Sequence, residues 1–409
     1  MHLTSLTDLP PELQLIIASL LEDDCEDIYS CTLVSHDWHS IFNPILWRKV
    51  RNYWDSGESS SLVSGAASTG SLRKYGRHIQ HLQLECLTKD FEEFLTLSPR
   101  RFSQLRSIEL RGRVDSDEMI ADLLLRCSRR HGGGVGLRRL VFDLDGCGGH
   151  GEYFGFRGKS IDALMEHVST LEEFCVEDPW ISSKEIQRLL RSTPRLQVFN
   201  ILSQERKGRI DHGSWLDAKD VRLKWACTSL RVFGCPIGGI PCHDIDREIS
   251  EGPVSTSVLK SSHRKSLALH RRVYSQLARL TNLQELRMGI LYDTQNDNYH
   301  RYNKELDRQY DCLAMSLESG LDLLRGLKNL QIVALEDMEV GIDAEDELKW
   351  VAQHWPKAKI ITTDIGTDQD TDSVLSGDED RSSYGEFEHE DDYDDDSEDD
   401  YDSDFRKVM

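Results

Sequence analysis

One short pattern of apolar positions recurs along the body of the chain: an apolar residue, followed by two more apolar residues three and five positions later. It first occurs at Ile79, Leu82 and Leu84. Seven further strong copies follow: Leu105/Ile108/Leu110, Leu137/Leu140/Phe142, Leu171/Phe174/Val176, Leu196/Phe199/Ile201, Leu230/Phe233/Cys235, Leu283/Leu286/Met288 and Leu330/Val333/Leu335. A weak terminal copy follows at Ala358, Ile361 and Thr363. The alternation at the end of each copy is typical of a strand with one buried face.

Helical patterns separate these strands. Residues 119–127, 161–168 and 183–190 place apolar side chains three or four positions apart, which predicts amphipathic helices. Residues 236–262 are rich in Gly, Pro, Ser and Asp, and we expect a loop insertion there. A further helix is predicted after this loop. Its apolar side carries Leu267, His270, Val273, Tyr274, Leu277 and Leu280, and its exposed side carries Arg264, Lys265, Arg271 and Arg272.

A unit of one strand and one helix cannot bury its apolar face alone, so neighbouring units must stack. The predicted fold class for residues 77–363 is therefore α/β, a curved solenoid with a parallel sheet on its inner face. An alternation of strands and helices is also compatible with a doubly wound sheet. The eightfold recurrence of one template favours the solenoid.

The first 50 residues follow a helical pattern. One stripe is formed by Leu13, Ile16, Ile17, Leu20 and Leu21, after a Pro10-Pro11 start. A second helix is predicted from about Asp27, with Ile28, Cys31, Val34 and Trp38 on one face. A segment of this length has little core of its own. It is either a small helical cap on the repeats or a three-helix module that completes its core on a partner.

The order and spacing of these residues resemble an F-box, the module that binds the Skp adaptor of SCF ubiquitin ligases. The resemblance rests on Leu9-Pro10-Pro11-Glu12-Leu13, Ile16-Ile17, Leu20-Leu21, Asp27-Ile28, Leu33-Val34-Ser35-x-x-Trp38 and Pro44-x-Leu46-Trp47. His36 departs from the basic or Cys-Lys residues that are frequent there. The resemblance implies adaptor contact or core roles, which sequence alone does not divide, for Leu9, Pro10, Leu13, Ile16, Ile17, Leu20, Leu33, Val34, Trp38, Pro44, Leu46 and Trp47.

The repeats resemble the irregular leucine-rich repeats that follow many F-boxes, in a family common in some fungi. The resemblance implies a substrate-recognition subunit of an SCF ligase, with a Skp-type adaptor, a cullin reached through it and an unknown protein target as partners. We expect the target on the open face of the sheet, where side chains between the apolar positions point away from the core. The candidates, mostly acidic in the early strands, are Glu85, Glu109, Arg111, Asp143, Glu173, Glu177, Asn200 and Arg287.

Composition divides the rest of the chain. Residues 51–76 form a predicted flexible linker, because positions 55–71 hold seven Ser and three Gly. Residues 364–409 hold 20 Asp and Glu against 3 Lys and Arg, out of a net charge of −23, which predicts a disordered acidic tail. The remaining body is nearly balanced, so nothing favours nucleic-acid binding. No apolar run suits a membrane span and no signal peptide is evident, so we expect the cytoplasm, the nucleus or both.

No catalytic, cofactor or metal constellation stands out. The ten cysteines include no CxxC pair, and Cys227, Cys235, Cys242 and His243 are too widely spaced for a zinc site. Cys147 and His150 lie in a glycine-rich stretch without a ligand pattern. We therefore expect a non-catalytic binding protein. Two alternatives to a ligase receptor remain at this point: an F-box scaffold with no role in ubiquitination, and a binder of basic proteins that works through its acidic tail.

Overall fold

The computed structural model describes residues 9–21, 24–51, 73–85, 102–111, 116–128, 135–143, 156, 158–176, 181–202, 214–241, 256–288, 312–335, 342 and 345–361. The predicted acidic tail, 364–409, lies outside these residues, as does most of the predicted linker. Of the linker, only residues 73–76 and Arg51, the last residue of the first strand, are described.

Three helices form the N-terminal part: α1 (Pro11–Leu20), α2 (Cys25–Val34) and α3 (His36–Leu46). Proline occupies the first position of α1, where its missing N–H costs nothing. The carboxylate of Asp24 accepts hydrogen bonds from two backbone N–H groups of α2, and the Ser35 hydroxyl accepts one from Trp38 N–H of α3. The helices enclose a small core of Ala18, Ile28, Phe42 and Ile45.

In the described part of the chain, ten strands form one sheet in which every pairing is parallel and spatial order follows chain order. They are β1 (Lys49–Arg51), β2 (His81–Glu85), β3 (Ser107–Arg111), β4 (Arg139–Asp143), β5 (Glu173–Val176), β6 (Val198–Asn200), β8 (Val232–Gly234), β10 (Glu285–Arg287), β11 (Ile332–Ala334) and β12 (Lys359–Ile361). A separate two-stranded parallel sheet joins β7 (Leu216–Asp217) to β9 (Ile237–Gly238). The described part of the chain is thus a mixed α/β structure with a mainly parallel sheet.

The register of the sheet follows the apolar template. The middle residue of each strong copy pairs with the middle residue of the next, in the series Leu82, Ile108, Leu140, Phe174, Phe199, Phe233, Leu286 and Val333. All eight side chains are buried. The weak terminal copy is displaced by one residue, because Val333 pairs with Ile360 and not with Ile361. At the other edge, Val50 of β1 pairs with Leu82, in a strand that no copy of the template predicted.

Aromatic rings run through the buried side of the sheet. Phe174 stacks on Phe199 with centroids 5.8 Å apart, and Phe199 lies 6.1 Å from Phe233. Phe156 meets both Phe142 and Phe174 edge-on, at 5.1 and 5.7 Å. Ring pairs at these distances add to the stabilisation that burial alone provides. The row links consecutive strands into one core.

The remaining helices are α4 (Asp117–Cys127), α5 (Gly158–Met165), α6 (Ser183–Ser192), α7 (Thr256–Leu277) and α8 (Glu345–His354). Short 3₁₀ segments occupy Gly76–His78 and Leu321–Gly326. The helices predicted at 119–127, 161–168 and 183–190 correspond to α4, α5 and α6. The predicted loop insertion at 236–262 is wrong at both ends, because β9 begins at Ile237 and α7 at Thr256; residues 242–255 lie outside the described part.

His167 joins two repeats through a buried imidazole. Its Nδ1 accepts a hydrogen bond from Leu137 N–H at 3.0 Å, and its Nε2 donates to the Leu124 carbonyl at 2.9 Å. These partners fix the neutral tautomer, since a second ring proton on Nδ1 would face a donor. Burial lowers the pKa of His167 below its ordinary value of 6.5, against the opposing effects of the Leu124 carbonyl and Glu166. Protonating this ring therefore opposes folding.

We expect the protein to lose stability in mild acid. The folded state binds fewer protons at His167 than the unfolded chain does, so stability falls as pH drops below about 6.5. Burial also lowers the pKa of His270, which adds to the effect. Denaturant unfolding at pH 7.5 and pH 5.0 measures the loss, and His167→Gln should reduce it. An equal pH dependence in this variant would assign the effect to other groups.

Candidate functional site

Large apolar side chains lie exposed on α1 and α2. Leu20 is 79% exposed, Leu33 68%, Val34 62% and Ile16 54%. Leu13, Leu15 and Tyr29 are exposed as well. Each fully exposed Leu or Ile forgoes about 1.5–3 kcal/mol that burial would supply. Several of them within a three-helix segment indicate a surface that a partner covers.

The orientation of α1 explains this exposure. Leu13, Ile16 and Leu20 are three and four positions apart and share one side of the helix. The buried residue of α1 is Ala18, about 140° around the helix from Leu13. The small core is therefore built against Ala18, and the apolar stripe faces away from it. We refer to Leu13, Ile16, Leu20, Leu33 and Val34 as the exposed apolar surface.

The structure divides the residues that the F-box resemblance singled out. Six are exposed: Pro10, Leu13, Ile16, Leu20, Leu33 and Val34. Five are half-buried: Leu9, Ile17, Trp38, Pro44 and Leu46. Trp38 packs on the small core, 5.4 Å from Phe42. The expectation that Ile28, Cys31, Val34 and Trp38 share one helix face is wrong, because α2 ends at Val34 and Trp38 belongs to α3.

Trp47, for which the F-box resemblance implied either an adaptor contact or a core role, lies in the joint between the helices and the sheet. Its side chain is buried in the large core, stacks on Tyr75 at 4.5 Å and donates from Nε1 to Asn43 Oδ1 at 3.1 Å. The next residue, Arg48, accepts backbone hydrogen bonds from Gln80 and His81. Only Trp47 and Arg48 separate the end of α3 from the start of β1.

The open face of the sheet carries an ion-pair network across β3, β4 and β5. The Arg139 guanidinium lies 3.1 Å from Glu109 Oε2 and 3.0 Å from Glu173 Oε1, and Arg111 Nη2 lies 3.2 Å from Glu109 Oε1. Burial lowers the pKa of Arg139, but attraction to Glu173 and Glu109 outweighs it and raises that pKa overall. The two carboxylates are matched by two guanidinium groups. Within the mainly acidic early strands, Arg111 and Arg139 thus neutralise Glu109 and Glu173.

The other residues expected on the open face have different surroundings. Asn200 Oδ1 accepts a hydrogen bond from Leu202 N–H, and its side chain covers Gly234, where a Cβ would come within 2.1 Å of that oxygen. Arg287 pairs with Glu285 of its own strand at 3.1 Å. Glu85 and Asp143 end β2 and β4, but their side chains lie outside the described part, as does Glu177 entirely.

Between the charged groups, the open face is apolar and only half-buried. Val198 of β6 pairs with Val232 of β8, and Val141 lies beside Glu109 in the register. Gly234 of β8 pairs with Asn200 of β6 and leaves room for the asparagine side chain against the sheet. The sequence pattern gave no sign of this contact, because it depends on the pairing of two strands 34 residues apart.

The described residues contain no cluster suited to a metal ion. No group of three or more His, Cys, Asp or Glu side chains among them is placed to hold one. Burial raises the pKa of Cys127 and Cys227 to about 12, so both are core thiols and not thiolates. Cys147, His150, Cys242 and His243 lie outside the described part. None of the helices that the structure describes is long and apolar enough to cross a membrane.

Comparison with known proteins assigns the N-terminal helices. The F-box-like family model matches residues 6–53, which contain α1, α2, α3 and β1. Residues 6–53 are an F-box-like domain. No curated protein matches the chain. Among solved structures, the chain is similar to one in the Rad7 and Elc1 complex in yeast, with 13% identity, 74% of this chain and 76% of that chain covered, and a TM-score of 0.32.

Proposed function

We propose that this protein is a substrate-recognition subunit of an SCF ubiquitin ligase. The observation that carries the proposal is the exposed apolar surface on an F-box-like domain. F-boxes bind a Skp-type adaptor, and the side chains that a partner would cover are the ones that the small core leaves free. In this proposal the chain binds partners, and other subunits, reached through the adaptor and a cullin, carry out ubiquitin transfer.

The proposed architecture of the body is a leucine-rich-repeat solenoid. Three observations support it: one strand per template copy, a strand order equal to chain order, and a register that aligns the template residues. A doubly wound sheet requires a reversal of strand order at a switch point. The order of the ten strands in the described sheet contains no reversal.

We place the target protein on the open face of the sheet. Arg139, Glu109 and Glu173 are half-buried there, beside the half-buried valines of β6 and β8. Alternating charges next to a flat apolar strip can orient a protein partner by electrostatic complementarity. Arg111, Asn200 and Arg287 complete the set of described candidates.

The decisive test substitutes the exposed apolar surface. Leu20→Asp combined with Leu33→Asp should reduce affinity for a recombinant Skp-type adaptor by about 100-fold or more, because two buried leucines contribute about 3 kcal/mol or more. Pull-down and titration calorimetry measure the loss. Both side chains are exposed, so the thermal melting transition should not move.

The matched control is Leu223→Asp, which changes another half-exposed leucine, 52% exposed, outside the F-box-like domain. It should bind the adaptor as the unchanged protein does. Full adaptor binding by the double variant would contradict the proposal. If the adaptor binds, accumulation of a co-purifying partner in cells that lack this protein distinguishes a ligase receptor from a scaffold.

A further inference from the structure

Helix α7 presents a face of one charge sign. Between Thr256 and Leu277 it contains no Asp or Glu. Arg264, Lys265, Arg271 and Arg272 are all exposed. At about 100° per residue, these four lie within a sector of about 120°. We call them the basic face of α7.

The opposite side of α7 is fixed in the core. Val273, Tyr274 and Leu277 are completely buried. The Tyr274 hydroxyl donates to the Ala314 carbonyl at 2.5 Å, and the Ser266 hydroxyl donates to the Pro241 carbonyl at 2.8 Å. The helix therefore cannot rotate to hide its basic face without breaking buried contacts.

Local packing also positions one of the four cations. Gly320 has a φ of +113°, and a Cβ at this position would lie 3.1 Å from Arg271 Cγ. A glycine is favoured there both by the backbone angle and by the close approach of the arginine stem. The aliphatic part of Arg271 thus rests on the protein, and its guanidinium extends from the surface.

The four charges have no neutralising partner among the described residues. Some exposed or half-buried arginines elsewhere in the described structure pair with carboxylates, as Arg188 does with Asp162 and Arg139 with Glu109. Beside α7, the carboxylate of Glu318 lies 3.3 Å from the His263 ring and forms no ion pair with any of the four cations. On a chain of net charge −23, four cations without a carboxylate partner in the described part form a locally positive surface.

We propose that the basic face of α7 binds an acidic peptide segment of a partner protein. The face is about 12 Å long, the span of about four extended residues. Guanidinium groups match carboxylates in paired hydrogen bonds. The strongly negative chain repels a long polyanion such as duplex DNA, whereas a short acidic run in a neutral or basic protein meets the local positive field. This surface is separate from the exposed apolar surface, so the proposal does not depend on adaptor binding.

The test uses the full chain and a fluorescein-labelled peptide of ten glutamates, followed by fluorescence anisotropy at 50 mM salt. Arg264→Glu combined with Arg271→Glu should weaken binding by about tenfold or more, since two ion pairs are lost and each charge reversal adds repulsion. Binding by the unchanged protein should also weaken as salt rises, because exposed charges are screened beyond about 8 Å at 0.15 M.

The matched control is Arg191→Glu combined with Arg195→Glu, which makes the same charge change at two exposed arginines on and after α6. It should alter peptide affinity by less than about twofold, with melting temperatures alike in all three proteins. Equal weakening in the control would overturn the proposal, because net charge alone would then explain binding. So would the absence of peptide binding at 50 mM salt, or equal affinity for a 10-base-pair DNA duplex.

Discussion

Replacing Phe199 by alanine is expected to lower the free energy of unfolding by about 3–5 kcal/mol. The side chain is fully buried in the middle of the sheet, and its ring contacts Phe174 on one side and Phe233 on the other. Alanine would leave a cavity between two repeats and break the aromatic row there. Denaturant unfolding at neutral pH measures the change.

The matched control is Val198→Ala on the same strand, whose half-buried side chain lies on the open face. Its cost should be much smaller than that of Phe199→Ala. A double-mutant cycle of Phe174→Leu with Phe199→Leu should also show coupling, because the two rings are in contact. Similar costs for the two alanine variants would mean that the aromatic row is not the core of the sheet.

Trp47→Ala is expected to have a comparable effect, about 3–5 kcal/mol, at one edge of the sheet. The substitution removes the stack on Tyr75 and leaves Asn43 without the hydrogen bond from the indole. Hydrogen exchange should show the amides of β1 and β2 opening first, because the ring packs where the helices meet these strands. Trp47 does not belong to the exposed apolar surface, so affinity for the adaptor should stay unchanged.

Trp215→Ala is the natural comparison, since the same side chain is 48% exposed there. Surface substitutions usually change stability by no more than about 0.5 kcal/mol. If Trp47→Ala cost as little as Trp215→Ala, the tryptophan would not hold the joint between the helices and the sheet.

The strands of the body were predictable because the apolar residues of every template copy are buried on the same face of the sheet. Each template copy, such as Leu140 with Phe142, buries two side chains on one face, and alternation then fixes the register. The prediction failed at the edges. At β12, Ile360 and Ile361 are adjacent and either could take the paired position. Strand β1 has Val50 as its one buried apolar residue. The strand forms because α3 ends close to β2, so that the residues after α3 lie beside that strand.

The candidate surfaces were only partly predictable. The stripe from Leu13 to Leu20 was evident in the sequence. Which side of α1 faces the small core depends on where α3 packs, and Ala18, as a small residue, did not stand out as the buried contact. On the sheet, the early strands were expected to be mainly acidic, with Arg111 as a basic exception. That Arg139 contacts both Glu109 and Glu173 depends on the pairing of three strands, which charge counting along a sequence does not reveal.

The continuity of α3 with β1 affects how the F-box-like domain can be deleted. Removing the matched residues 6–53 would also remove Lys49–Arg51 and uncover the backbone edge of β2. An uncovered strand edge offers a template for pairing with other chains. A deletion mutant of that kind would mix loss of adaptor binding with aggregation. Ending the deletion at Leu46, or substituting exposed leucines in the full chain, keeps the two effects apart.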